Sequence, residues 1–327
     1  MSVRLGINLA RLYPEMVNPA APLRVLPLAL AAAATPGPTP TEAIRAEWGV
    51  AMVPRGLRRV PVILFSGGAA ADGTGYVALM RHFASHGFAV LHVVHADAYE
   101  HHMRRARGRS LPARATCVSD VWQLAMGRHA PWEARVRDFS HMLDRLPEIL
   151  GELGLEAQDG QIGAGGYCYG GAAALMIGGA AFWWRGRGHV WRDERVRAVL
   201  SLTPDWGPRR PPDRVWRGLT LPVMTVTGDG DRDVQGRDWR MKALPFKGSP
   251  AGDKYLARLL GANHFTFSGR LLESAKEPAH VSAQKVQFGA VAGLSLLFWR
   301  ASLSGDEGAR KTLNELESGD LMGFWRK

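Results

Sequence analysis

Cysteine is almost absent, with Cys117 and Cys168 the only two in 327 residues. A disulfide framework is therefore excluded, and neither thiol settles the compartment. No apolar run reaches the ~18 residues that would read as a membrane span. No internal repeat or heptad pattern occurs, and no His/Cys cluster has the spacing of a metal site. Spanning helices, solenoids, coiled coils and zinc modules are thus unsupported. Acidic residues are also in deficit, 30 against 41 Lys and Arg, for a formal net charge of +11. The arginines behind that excess are dispersed (Arg58, Arg59, Arg185, Arg187, Arg209, Arg210) apart from one cluster at His101–Arg109. No nucleic-acid motif accompanies them, so a solvated basic surface is expected and no nucleic-acid partner. No cofactor is expected either.

With 46% hydrophobic residues over this length, the chain reads as one elaborated α/β domain spanning 1–327. Residues 1–56 read as N-terminal strands and a connector: Val3–Leu12 and Leu23–Leu30 as opening strands, then the proline-rich Thr35–Glu42. The rival for residues 1–34 is a secretory leader ending at Ala31–Ala34. A cytoplasmic protein is expected, or a secreted or periplasmic one if that segment is a leader. Beyond the connector, Arg59–Phe65 is a buried-strand pattern, Tyr76–His86 a helix and Phe88–Val94 a strand, which together imply parallel pairing. Residues 97–134, basic and carrying Trp122 and Trp132, read as a lid or pocket insertion. Arg135–Leu150 has helical spacing. Val196–Leu202, Leu221–Thr227 and Lys254–Leu260 read as further strands, and Ala283–Ser302 as an amphipathic helix.

The most informative stretch is Gly166-Tyr167-Cys168-Tyr169-Gly170-Gly171. A strand that turns at once into a helix holds the residue at its tip under strain and needs small neighbours on both sides. Gly166 and Gly170 supply them. Cys168 at the tip then sits at a helix N-terminus, where free N–H groups favour negative charge, and becomes a candidate nucleophile. The loop Ser66-Gly67-Gly68-Ala69 can bring backbone N–H groups to an oxyanion. Aspartates follow two later strands, Asp205 after one and Asp229, Asp231 and Asp233 after the next, and His264 follows the last, with His280 a weaker alternative. Nucleophile, acid, histidine is the chain order of the α/β-hydrolase fold, a mostly parallel sheet with helices on both faces.

The Gly166–Gly171 elbow resembles that of the dienelactone hydrolase family, whose members use cysteine where most relatives use serine. Phe83–Val90, Trp206 and Phe298–Leu313 also resemble bacterial polyester hydrolases and predicted dienelactone hydrolases, so the resemblance runs from about Val60 to Leu313. It implies Cys168 as nucleophile, Asp231 as acid (Thr227, Gly228 and Asp231 fall on the family's T-G-x-x-D) and His264 as base. Tyr169 and Ala69 are the implied oxyanion donors. Asp229 then reads as a turn aspartate. Gly68, Tyr167 and Trp206 are the candidate pocket residues. Ser66–Ala71 lacks the glutamate that the dienelactone enzymes carry in this loop, which leaves lactone specificity open. The expected activity is hydrolysis of a small-molecule or polymeric carboxylic ester, lactone or thioester through an S-acyl enzyme. An acyltransferase with the same three residues, or a silent scaffold binding a ligand or an anionic partner, are the alternatives.

Overall fold

A computed structural model describes residues 28–46, 49–69, 71, 76–95, 129–207, 210–233, 236–268 and 278–327. Its strands, in chain order, are β1 (Thr41–Ala46), β2 (Gly49–Pro54), β3 (Arg59–Ser66), β4 (Ala89–Val93), β5 (Glu156–Tyr167), β6 (Phe182–Trp184), β7 (Arg187–His189), β8 (Ala198–Leu202), β9 (Val223–Gly228), β10 (Lys254–Leu259) and β11 (Met322–Arg326). The helices are α1 (Leu28–Ala34), α2 (Val77–Ser85), α3 (His129–Asp144), α4 (Leu146–Glu152), α5 (Tyr169–Ile177), α6 (Leu244–Gly248), α7 (Pro278–Ser302) and α8 (Glu307–Glu315).

Nine strands form one sheet in the order β1-β2-β4-β3-β5-β8-β9-β10-β11, and β6 and β7 make a separate hairpin. From β4 to β10 every neighbour is parallel; β1, β2 and β11 pair antiparallel at the two edges. This is the mostly parallel sheet of the α/β-hydrolase fold. Its central strands β4, β8 and β9 are buried at every position, as strands covered on both faces must be, and their unbroken apolar runs follow from that. On one face, Ser201 of β8 donates through its hydroxyl to the Gly171 carbonyl of α5. On the other, the fully buried Trp299 of α7 lies across β5: a Cβ placed on Gly163 would come within 2.5 Å of its ring. Gly163 is therefore a seat for an indole.

Two local expectations are corrected. Leu23–Leu30 does not continue as a strand where it is described, because Leu28–Ala34 is the helix α1. Its alanines favour helix, and its buried Leu30 sits so close to α7 that a Cβ on Gly293 would be 2.7 Å from the Leu30 carbonyl oxygen. The opening strands are instead β1 and β2. The single helix expected over Arg135–Leu150 is two, α3 and α4, broken at Arg145 with Pro147 in the first turn of the second, where its missing N–H costs nothing. The helix α8, the hairpin and the edge strand β11 have no counterpart in the sequence reading. Val3–Leu12, the His101–Arg109 cluster, Cys117, Trp122 and most of the 97–134 insertion lie outside the described residues; its last residues, from 129, begin α3.

Candidate active site

Five strands end side by side, and each is followed within a few residues by one part of the site. β5 runs between β3 and β8, with Ser66 opposite Gly166 and Leu202 opposite Tyr167. The chain leaves β5 through Cys168, held at φ 55° and ψ −119°, and enters α5 at the next residue. A side chain at such a φ costs on the order of 1–3 kcal/mol, so surrounding contacts must impose it. They do so on both of its backbone groups: the Cys168 N–H donates to the Leu202 carbonyl (2.9 Å), and its carbonyl accepts from the Asp205 N–H (3.1 Å). A Cβ on Gly166 would fall 2.3 Å from the Gly170 carbonyl, and one on Gly170 would fall 2.1 Å from that of Ser66. Only glycine fits at either place.

His264 follows β10 and Asp231 follows β9. His264 Nδ1 lies 2.9 Å from Asp231 Oδ1 and 2.7 Å from the Thr203 hydroxyl, while Asp231 Oδ2 accepts from the Thr227 hydroxyl at 2.8 Å. The imidazole is also coupled electrostatically to the side chain of Cys168. Burial works against a charged imidazole here, but the charges of Cys168 and Asp231 outweigh it and push the His264 pKa up to about 10. Burial likewise opposes the Asp231 carboxylate, yet Lys242 and His264 hold its pKa below the ordinary value. Among the aspartates following these strands, Asp231 is thus the one hydrogen-bonded to His264 Nδ1. Asp229 accepts the Gly261 N–H (2.7 Å), Asp233 pairs with Arg237, and Asp205 pairs with Lys242.

The loop after β3 is anchored residue by residue. Gly68 donates its N–H to the Tyr76 hydroxyl (2.9 Å), which occupies that group and leaves Ala69 as the next donor along the chain. A Cβ on Gly68 would lie 3.5 Å from Cys168 Cβ, so the loop passes directly over the thiol. Arg135, buried on α3, donates to the carbonyls of Gly67 (2.7 Å) and Gly68 (3.0 Å), and its guanidinium stands 4.2 Å from the centre of the Tyr169 ring. One side chain therefore grips both the loop carrying Ala69 and the residue after Cys168. Beneath it, Ser66 Oγ lies 2.7 Å from His95 Nε2, and His95 Nδ1 lies 2.7 Å from Asp138 Oδ2. Burial pushes the Asp138 pKa up to about 6 against the opposing pull of Arg135 and His141. This is a Ser-His-Asp array beside the Cys168-His264-Asp231 set, but Ser66 is wholly buried and its hydroxyl faces the protein. Its place is under the loop.

Of the candidate pocket residues, Gly68 lies where an added Cβ would meet Tyr167 (3.3 Å) and Cys168 (3.5 Å). Tyr167 is largely buried and donates through its hydroxyl to the His264 carbonyl (2.9 Å), bracing the histidine loop. Trp206 is buried against Trp216, with ring centres 4.5 Å apart. Thr203, Arg135 and Lys242 were not anticipated, and only Thr203 had a local cue, its place at a strand end. Among the described residues, no group of three or more His, Cys, Asp or Glu side chains is arranged to hold a metal ion, and no helix is long and apolar enough to cross a membrane.

A thiol on a strained turn, an imidazole coupled to it, a carboxylate hydrogen-bonded behind the imidazole and backbone N–H groups nearby are the parts that acyl transfer requires. Residues 39–105 match the model of the family described as platelet-activating factor acetylhydrolase, isoform II, and no curated protein matches the chain. The matched stretch contains β1 to β4 and the Ser66–Ala69 loop and ends well before Cys168. Its similarity to that family supports a hydrolase, on an α/β-hydrolase fold that the strand order displays throughout the sheet.

Proposed function

We propose that the protein hydrolyses carboxylic esters through an S-acyl enzyme on Cys168. The observation that carries this reading is the convergence of Cys168, held on its strained turn, with the hydrogen-bonded His264–Asp231 pair, whose imidazole is electrostatically coupled to the Cys168 side chain. His264 takes the thiol proton, and the thiolate adds to the acyl carbon while the N–H groups of Tyr169 and Ala69 hold the oxyanion. The acyl–oxygen bond then breaks as His264 returns that proton to the leaving alcohol oxygen. Water, deprotonated by the same imidazole, attacks the thioester; the acyl C–S bond breaks, His264 returns the proton to the Cys168 sulfur and the acid is released. Asp231 keeps the Nδ1 proton in place and balances the imidazolium. The resemblance of Gly166–Gly171 to the dienelactone hydrolase elbow favours cysteine chemistry, and an acetylhydrolase match favours short acyl groups. Gly68, Tyr167 and Trp206 are the residues proposed to face the substrate.

The test is a panel of p-nitrophenyl esters of increasing acyl length, with acid-quenched enzyme analysed by mass spectrometry. Turnover with an acyl adduct on the peptide containing Cys168 is expected. Turnover with an adduct elsewhere, or no turnover at any length, overturns the reading. The grip of Arg135 gives a second expectation. Arg135→Met should lower kcat about 10- to 100-fold with little change in KM, because a loosened loop misplaces a donor whose full loss is worth about 3–4 kcal/mol. Arg135→Lys should recover little of it, since an ammonium cannot fork to two carbonyls as a guanidinium does. A KM effect alone would place Arg135 in substrate binding instead.

A further inference from the structure

We propose that the buried pair Lys242–Asp205 is a positioning device that sets the electrostatic field at Cys168, His264 and Asp231. The proposal builds on the nucleophile assignment above and adds two residues that touch no reacting atom. Lys242 lies in the turn just before α6, with its side chain 1% exposed, and its ammonium nitrogen is 3.3 Å from Asp205 Oδ2, itself 3% exposed. An ammonium is among the groups least often found fully buried, and leaving it there needs carboxylates on more than one side. The charged and titratable groups around it are Asp205, Asp231, Asp233 and Cys168, with His264 beyond Asp231 and Arg237 beyond Asp233.

The charges in this cluster do not pair off evenly. Arg237 takes Asp233 in a salt bridge and also donates its backbone N–H to it at 2.8 Å. Among the described residues, Lys242 is then the fixed cation facing Asp205 and Asp231, and the proton on His264 adds positive charge on the far side of Asp231. Lys242 therefore acts in two directions: it helps to keep Asp231 ionised, and its own charge is attracted to that of Cys168. Asp205 fixes where the ammonium stands. It is fixed in turn by accepting the Gly207 N–H (3.1 Å), and its own N–H holds the Cys168 carbonyl. The anchor of the cation and the backbone of the thiol are thus one rigid unit.

Removing the cation disfavours a thiolate, and removing its anionic anchor favours one. The rate of Cys168 alkylation by iodoacetamide at pH 6.5, read by site-resolved mass spectrometry, should fall about tenfold in Lys242→Met and rise severalfold in Asp205→Asn. Thermal unfolding is followed in parallel. A purely structural role would lower stability in both variants and move labelling the same way in both, as loosened structure admits reagent. Shifts of the same sign, or none, overturn the proposal. If Lys242→Met does not fold, Asp205→Asn decides alone, because it preserves shape and leaves Lys242 facing Asp231: faster labelling supports the proposal, unchanged or slower labelling overturns it. The readout needs no substrate. Opposite shifts without ester turnover would leave this assignment standing and remove the esterase reading; turnover with unmoved labelling would do the reverse.

Discussion

Cys168→Ala is expected to lower kcat/KM on p-nitrophenyl acetate by a factor on the order of 10⁴ or more while the protein stays folded. The magnitude follows from losing the covalent path entirely, since the Thr203 hydroxyl that also bonds His264 does so at Nδ1, the nitrogen that faces Asp231; comparable single knock-outs of a nucleophile cost on the order of 10⁶. Folding should survive because the elbow is shaped by its glycines and by two backbone hydrogen bonds that alanine keeps. The strained φ of 55° at this position adds a second, independent reading. Cys168→Gly should be equally inactive yet melt above Cys168→Ala, because glycine adopts that backbone without the side-chain penalty. Retained turnover in Cys168→Ala would remove the nucleophile. A lower melting temperature for the glycine variant would instead mean that the turn stores no strain.

The second large effect belongs to Asp231→Asn. The amide fills the same space between Thr227 and His264 but carries no charge, and it can donate to Nδ1 and so hold the imidazole in the wrong tautomer. A fall in kcat of roughly 10³–10⁴ with little change in KM is expected. Asp205→Asn serves as the control and should cost far less. Titration shows the same change directly. With Asp231 and Cys168 charged, His264 is raised to about 10; burial is the largest influence and acts downward, so without Asp231 the midpoint should drop sharply. The sign for stability follows. A raised histidine contributes stability in full below about pH 6.5, its unfolded value, and loses it as pH climbs through the folded value of about 10. Wild type should therefore lose stability across that window, and Asp231→Asn should lose less. Asp231 itself, held below its ordinary 3.8, contributes stability above that pH and gives it up as pH falls through the lowered value. NMR of histidine-labelled protein and thermal melts at several pH values measure both. An unmoved His264 midpoint would show that Asp231 is not its partner.

Much of this architecture was legible in the sequence because its signals are local. Arg59–Ser66 and Val223–Gly228 are apolar runs that a doubly covered strand demands, and Gly166 and Gly170 flank Cys168 at a spacing that a strand-to-helix turn dictates. What escaped is set by contacts distant along the chain. Nothing near Lys242 in Arg240-Met241-Lys242-Ala243 distinguishes it from a solvated lysine; its burial is decided by carboxylates at positions 205 and 231. Arg135 reads as one more charge in a polar helix until β3 is placed beside it. Strand β1, Thr-Glu-Ala-Ile-Arg-Ala, lies at the edge of the sheet, and its polar residues hid it behind a proline-rich connector. The apolar run at Leu28 misled for the opposite reason, since a buried helix and a buried strand have the same composition at that length.

The site draws its parts from the ends of β3, β5, β8, β9 and β10, which span residues 59 to 259 of the chain. No short fragment of the sequence contains it. A nick that frees any one of these five strands would separate the proposed nucleophile from its base, its acid or its oxyanion donors, so the proposed activity should be all-or-none with respect to the integrity of the sheet centre. Turnover would for that reason report cooperative folding in this protein: it should vanish with the sheet itself and survive a loss confined to α1 or to the β6–β7 hairpin.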